Sequence, residues 1–298
     1  MEPLRVGLIG YGEVGRIFTF AFVDKGAAWV GAWDILFNDT HQSPGMTAHC
    51  HSAGVEACLS SADLVSRADV VICAVTASSS LAAAEEAARS IRPGTFYLDL
   101  NSASPETKQR SSVVINAAGA HYVEAGVMTS VPPYGIGVPM VLGGARAAEL
   151  AARLAPWGLD TEVVSENIGV ASAIKMCRSV MIKGMEALVI ESFTTARRYG
   201  VEDRVLASLH ETFPHMDWER TGAYFFSRVV KHGKRRAEEM REAARTVNEA
   251  GFEPLMTAAI AEKQAWVASL AATGLFKDVD SDADWRDYAD RIKRDPHA

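Results

Sequence analysis

Leu4, Val6, Leu8 and Ile9 form a short apolar run with the density of a parallel strand buried on both faces. Comparable runs follow at residues 28–33, 68–75, 95–100, 121–127, 139–142 and 161–164. The run 68–75 (ADVVICAV) is the strongest of these, continuous and rich in β-branched residues behind an Asp. Stretches of helical composition separate the runs, at 14–25 and 79–90, and Pro93-Gly94 punctuates before the next strand. Ser104 and Pro105 supply the cap and first residue of a further helix. This alternation, sustained to residue 165, predicts one doubly wound α/β domain.

The pattern changes at Gly169. No strand is read beyond it, only helices at 170–199, 203–212, 218–230, 234–250 and 254–272, with a charged final segment, 277–298, as a surface helix or frayed tail. A helix over 170–199 would be roughly 45 Å long at 1.5 Å per residue, too long for a small domain unless it joins two units. The predicted organisation is a doubly wound domain over 1–165 and an all-helical domain over 166–298, joined by that long helix.

Composition narrows the function classes. A 298-residue chain with 48% hydrophobic residues can build two ordinary cores. Its formal charge of −7 is spread along the sequence, so no basic patch invites nucleic acid or an anionic membrane, and a small-molecule substrate is the expected partner. No apolar run reaches the roughly 18 residues of a membrane span, and a cytoplasmic protein is expected. Cys50, Cys58, Cys73 and Cys177 lack C-x-x-C spacing, and free buried thiols are expected. His41, His49, Cys50, His51 and Cys58 are irregularly spaced, so no metal site is assigned.

The candidate chemistry starts at the first strand. Gly10, Gly12 and Gly15 follow it in G-x-G-x-x-G spacing, just where a helix begins, which is the dinucleotide fingerprint in its proper setting. The first glycine permits the tight turn, the second the approach of a pyrophosphate, and the third the close packing of helix on strand. The helix's unpaired N–H groups then face the anion. Asp34, about 20 residues on, ends the second strand, where a carboxylate accepts from ribose hydroxyls and repels a 2′-phosphate. With no Arg or Lys between Asp34 and Arg67, NAD is expected over NADP. The fold is therefore read as a Rossmann domain. Its cofactor contacts are Gly10, Tyr11, Gly12, Glu13, Val14 and Gly15, Asp34, and the strand-end residues Val75, Thr76 and Asn101. Ser102, beside Asn101, is read as facing substrate.

Four landmarks in order resemble the β-hydroxyacid dehydrogenases, which include 6-phosphogluconate and 3-hydroxyisobutyrate dehydrogenases. They are GLIGYGEVG, DLNSASP, YVEAGVMTSVPPYGIGVPMVLGG, and IGVASAIKM leading the long helix. The likeness covers nearly the whole chain. It is nearest the phosphogluconate-dehydrogenase-like branch whose long helix reads KMCRSVMIKGMEAL, many members of which have no assigned substrate. The resemblance implies a hydride exchange between nicotinamide and a hydroxyl or carbonyl of a small metabolite. Lys175 matches the catalytic lysine as general acid and base, Gly169 the glycine before its helix, and a homodimer is the implied assembly. The chain also departs from the family pattern. Ser179, beside Arg178, stands where the family has Asn, and Gly126 to Ser130 replace Pro-Val-Ser-Gly-Gly. Met128, Thr129, Arg178, Ser179 and Arg235 are the candidates for substrate contact, Arg235 from the basic segment Lys231, His232, Arg235 and Arg236. An imine reductase or reductive aminase on the same scaffold, and a non-catalytic NAD sensor, are the alternative readings. The first commonly has Asp or Tyr in place of the lysine, and the second has no need of it.

Overall fold

The structure is a computed structural model that describes residues 3–280 and 282–294. Within the charged carboxyl-terminal segment, residues 281 and 295–298 lie outside the described residues. The chain divides into two compact units, Met1–Met176 and Cys177–Ala298.

The first unit is built on an eight-stranded sheet. Its elements are β1 (Arg5–Ile9), α1 (Glu13–Asp24), β2 (Trp29–Trp33), α2 (Ser43–Ser52), β3 (Glu56–Ala57), α3 (Ser61–Val65), β4 (Val70–Cys73) and α4 (Ser80–Ala88). Then come β5 (Phe96–Asp99), α5 (Pro105–Ala117), β6 (His121–Val127), β7 (Met140–Gly143), α6 (Ala147–Leu154) and β8 (Thr161–Ser165). The strand order is β3-β2-β1-β4-β5-β6-β7-β8, parallel from β3 to β6, with β7 antiparallel to β6 and β8 parallel to β7. The chain runs outward from β1 to β2 and β3, then returns to the other side of β1 as β4. This reversal places the topological switch point, where ligands collect in such sheets, at the carboxyl ends of β1 and β4.

Period-two alternation sorts the side chains into two cores. Val6, Leu8, Val30, Ile72, Leu98 and Val123 face the core that includes Phe18 and Phe22 of α1. Ile9, Trp33, Val71, Cys73, Tyr97 and Tyr122 face the other. One register row crosses the sheet as Trp33, Ile9, Cys73, Asp99, Glu124 and Gly143, so two buried carboxylates stand side by side near the ligand edge.

Helix α7 (Val170–Tyr199) begins in the first unit and continues into the second, where α8 (Glu202–Thr212), α9 (Trp218–Glu249), α10 (Leu255–Ala272) and α11 (Trp285–Arg294) follow. One of these elements differs from expectation. Residues 218–249 form one unbroken helix, not two. Gly233, which lies between the two expected helices, is where α9 and α10 pack closely: a Cβ there would lie 2.9 Å from the Gln264 carbonyl oxygen. The charged segment near the carboxyl end forms a docked helix, α11, that buries Trp285, Tyr288, Ala289 and Ile292. Arg197 pairs with Asp290 and Glu202, and Arg286 with Glu219, which holds it in place. Cys50, Cys58 and Cys73 are free and buried, whereas Cys177 is exposed, because neighbouring residues on a helix point about 100° apart and Met176 takes the inward position.

Candidate active site

The glycine turn after β1 contains two glycines that the protein's own packing demands and one that it does not. Gly10 has φ +95°, and a Cβ there would collide with the Ala74 carbonyl; one at Gly15 would collide with the Gly10 carbonyl. A Cβ at Gly12 would meet nothing within 4 Å. Gly12 opens on solvent as the N-cap of α1, which has no side-chain cap. The turn therefore leaves room for a group to lie against its backbone and the first N–H groups of the helix, as a dinucleotide pyrophosphate requires.

Asp34 stands beside this turn. Its Oδ2 accepts from Tyr11 N at 2.7 Å and its Oδ1 from Leu36 N at 2.9 Å. A carboxylate has about four acceptor positions, so capacity remains for ribose hydroxyls. Glu13 and Val14 open α1, with Glu13 exposed. The Tyr11 side chain is fully buried, its hydroxyl lies 2.9 Å from His49 Nδ1, and burial raises its pKa. Its N–H is taken by Asp34, so Tyr11 shapes the turn from below. Arg16, overlooked in the sequence, stacks over the Tyr11 ring at 5.6 Å and donates to the Tyr11 carbonyl, bringing a cation to the rim of the turn.

Val75 and Thr76 follow β4 at the same edge. Thr76 is exposed, with its hydroxyl 2.9 Å from that of Ser79. Asn101 lies at the same edge, after β5. It is 3% exposed, its Oδ1 accepts from Val75 N at 2.7 Å, and its Nδ2 donates to Cys73 Sγ and Ser80 Oγ, each at 3.3 Å. Asn101 thus holds the neighbouring loop. Ser102 is half-buried beside it.

Lys175 is brought to this sheet by β6. Glu124 is fully buried, and its Oε1 accepts from Gly169 N at 2.7 Å and Ala171 N at 3.1 Å, while Oε2 accepts from Ser172 N at 3.3 Å. The carboxylate thereby satisfies the orphan donors at the start of α7 and opposes the positive end of its dipole. Two residues along β6, Gly126 faces the same side. A Cβ there would sit 2.9 Å from Ala171 O and 3.3 Å from Lys175 Cβ. Only a glycine lets the helix settle so close, and the contact places half-buried Lys175 over the carboxyl end of β6. Met128 and Thr129 leave the strand at that end, Met128 half-buried and Thr129 exposed. Glu124 and Gly126 were not singled out as a seat for the helix. A charged residue inside the apolar run HYVEAGV was the available signal.

The remaining candidates lie in the second unit. Arg178 is exposed, and Ser179 is buried with its hydroxyl accepting from Lys183 Nζ at 3.2 Å. Arg235 is half-exposed, 3.8 Å from Glu239. Arg236, read as part of a basic face, is buried and paired with Glu186, which also accepts from Gln264.

Residues 5–154 match the family model described as the NAD binding domain of 6-phosphogluconate dehydrogenase, and residues 196–267 match one described as a domain of unknown function, DUF1932. A conserved hypothetical protein from Sinorhizobium meliloti 1021 is 36% identical, with 98% of this chain and 96% of that chain covered and a TM-score of 0.77. The conserved protein MTH1747, described as structurally similar to 3-hydroxyacid dehydrogenases, is 33% identical over 91% of this chain and 99% of that one, with a TM-score of 0.70. The 3-hydroxyisobutyrate dehydrogenase of Mycobacterium tuberculosis shares the fold at 15% identity, with 97% and 99% covered and a TM-score of 0.67. The chain belongs to the β-hydroxyacid dehydrogenase family, and its first unit carries the NAD-binding domain of that family.

Proposed function

We propose that the protein is an NAD(P)-dependent dehydrogenase or reductase acting on a hydroxyl or carbonyl of a small metabolite, with Lys175 as its general acid and base. The observation that carries this reading is the seating of Lys175 over Gly126, at the edge of the sheet that also bears the glycine turn. When bound, the nicotinamide supplies the acceptor or donor of hydride. The protein's part is to hold and move the proton. The Lys175 amine takes it from the substrate hydroxyl during oxidation, and the ammonium returns it to the carbonyl oxygen during reduction. Asp34 would accept from the ribose hydroxyls, and the Gly12 backbone with the N–H groups of Glu13 and Val14 would face the pyrophosphate. Asp34 favours NAD over NADP, because a 2′-phosphate would meet a carboxylate. Ser102, Met128 and Thr129, at the carboxyl ends of β5 and β6, are the first unit's contribution to substrate contact.

The test is a panel of hydroxy acids, sugar acids and aryl ketones, assayed with NAD(H) and NADP(H). Hydride transfer to or from a member of the panel, with NAD(H) preferred, is the expected result. Cofactor binding with no turnover across the panel would point to a sensor. A tenfold preference for NADP(H) would overturn the role given to Asp34.

A further inference from the structure

Beneath the ligand edge lies a fully buried ion pair, Asp99 with Lys108, for which the proton chemistry above has no use. Lys108 reaches in from α5. Its Nζ lies 2.9 Å from Asp99 Oδ1 and donates to the Asp99 carbonyl oxygen at 3.0 Å. The other carboxylate oxygen accepts from the Tyr122 hydroxyl at 2.7 Å and the Ser80 hydroxyl at 3.1 Å. Burial in that cluster, and next the Asp99 charge, raise the Tyr122 pKa, so its phenol remains a donor. Oδ1 also accepts from Asn101 N at 2.9 Å. Asn101, oriented in this way, accepts from Val75 N.

A buried ion pair is a poor way to gain stability, since an apolar pair of similar volume commonly serves as well. An apolar pair cannot gather donors from β6, α4, α5 and the loop after β5 on a single point. The contacts form one connected series: Lys108 Nζ and Asn101 N both donate to Asp99, and the backbone N of Val75 donates to the Asn101 side chain. That backbone is the first turn beyond β4, one strand past the glycine turn of β1. Adjacent strands lie about 4.8 Å apart. A dinucleotide with its adenosine ribose at Asp34 on β2 and its pyrophosphate at Gly12 on β1 therefore brings its other half to the ends of β4 and β5.

We propose that Asp99 and Lys108 are positioning residues for the nicotinamide half of the dinucleotide, acting through Asn101 on the loop at Val75. This rests on the reading that a dinucleotide lies along the sheet edge. The pair touches no ligand; it fixes the loop that does. Adenosine and pyrophosphate are held by other residues, so the effect is confined to one half of the cofactor.

The experiment compares the Kd of NADH with that of ADP-ribose, by calorimetry, in the full-length protein and in Lys108→Met and Asn101→Ala. If NADPH binds the wild type better, it replaces NADH, with 2′-phospho-ADP-ribose as its partner. In each folded variant NADH should weaken about tenfold or more while ADP-ribose stays within twofold. Asn101→Ala leaves the ion pair in place and removes the acceptor at Val75 together with the donors to Cys73 and Ser80, so it decides the matter if Lys108→Met does not fold. Equal weakening of both ligands would show a merely structural pair, and unchanged NADH affinity would show that the loop does not depend on it; either result overturns the proposal. A wild type that binds neither NADH nor NADPH would instead refute the reading on which the proposal rests.

Discussion

Gly12 and Gly15 belong to the same motif, yet they should respond differently to substitution. At Gly15 a methyl group would strike the Gly10 carbonyl, so Gly15→Ala should destabilise the protein by about 1–3 kcal/mol, as expected for overpacking. At Gly12 nothing lies within 4 Å, so Gly12→Val should leave the urea unfolding midpoint nearly unchanged and weaken NADH binding by roughly two orders of magnitude. Urea titration and calorimetry on the two variants check this, and equal losses of stability would contradict it. The glycines were legible in the sequence because their spacing is local. The inward turn of Tyr11 was not, since its partner His49 stands 38 residues away on α2. Asn101 was expected at the sheet edge where it stands. Its position at a strand end was readable, but its bond to Val75 N depends on pairing between β4 and β5.

At the scale of elements, the start of α7 is fastened to β6 by Glu124. Removing that carboxylate leaves three buried N–H groups without their acceptor. Glu124→Ala should therefore cost about 3 kcal/mol or more in urea unfolding, and the amides of Gly169, Ala171 and Ser172 should lose protection from hydrogen exchange. Retained protection would show that the helix holds its place without Glu124. The extent of α7 was readable from residues 170–199, because their composition is helical throughout and no proline interrupts them. Its anchoring was not, as Glu124 and Gly169 are 45 residues apart and meet only through the fold. The continuity of α9 across residues 231–233 was not readable either: Gly233 admits α10 against α9, a reason that belongs to tertiary packing.

Across the whole molecule, the two units meet within α7 at residues 176 and 177, so Lys175 belongs to the sheet unit. The second unit depends on acid-sensitive contacts. Hydrogen bonds from Arg197 lower the pKa of Asp290, and those from Arg286 lower that of Glu219. Both carboxylates have folded pKa values below their unfolded values. Their stabilising effect is therefore complete above the ordinary carboxylate range, about pH 4, and is lost as pH falls from there through the folded values. These groups are partly exposed, so the effect is modest and screened by salt. Hydrogen exchange of α11 should be flat from pH 7 to about pH 5, after correction for intrinsic rates, and should rise below about pH 4; loss of protection on raising the pH would contradict the pairing. The homodimer that the family resemblance implies would appear in light scattering as twice the 32.1 kDa chain mass, and a monomer would contradict it. The most direct measurement of the central claim is turnover by Lys175→Ala with the substrate that the panel identifies, set beside the variant's affinity for NADH. The account predicts a fall in kcat of roughly 10² to 10⁴ with NADH affinity retained; turnover within threefold of the wild type would contradict it.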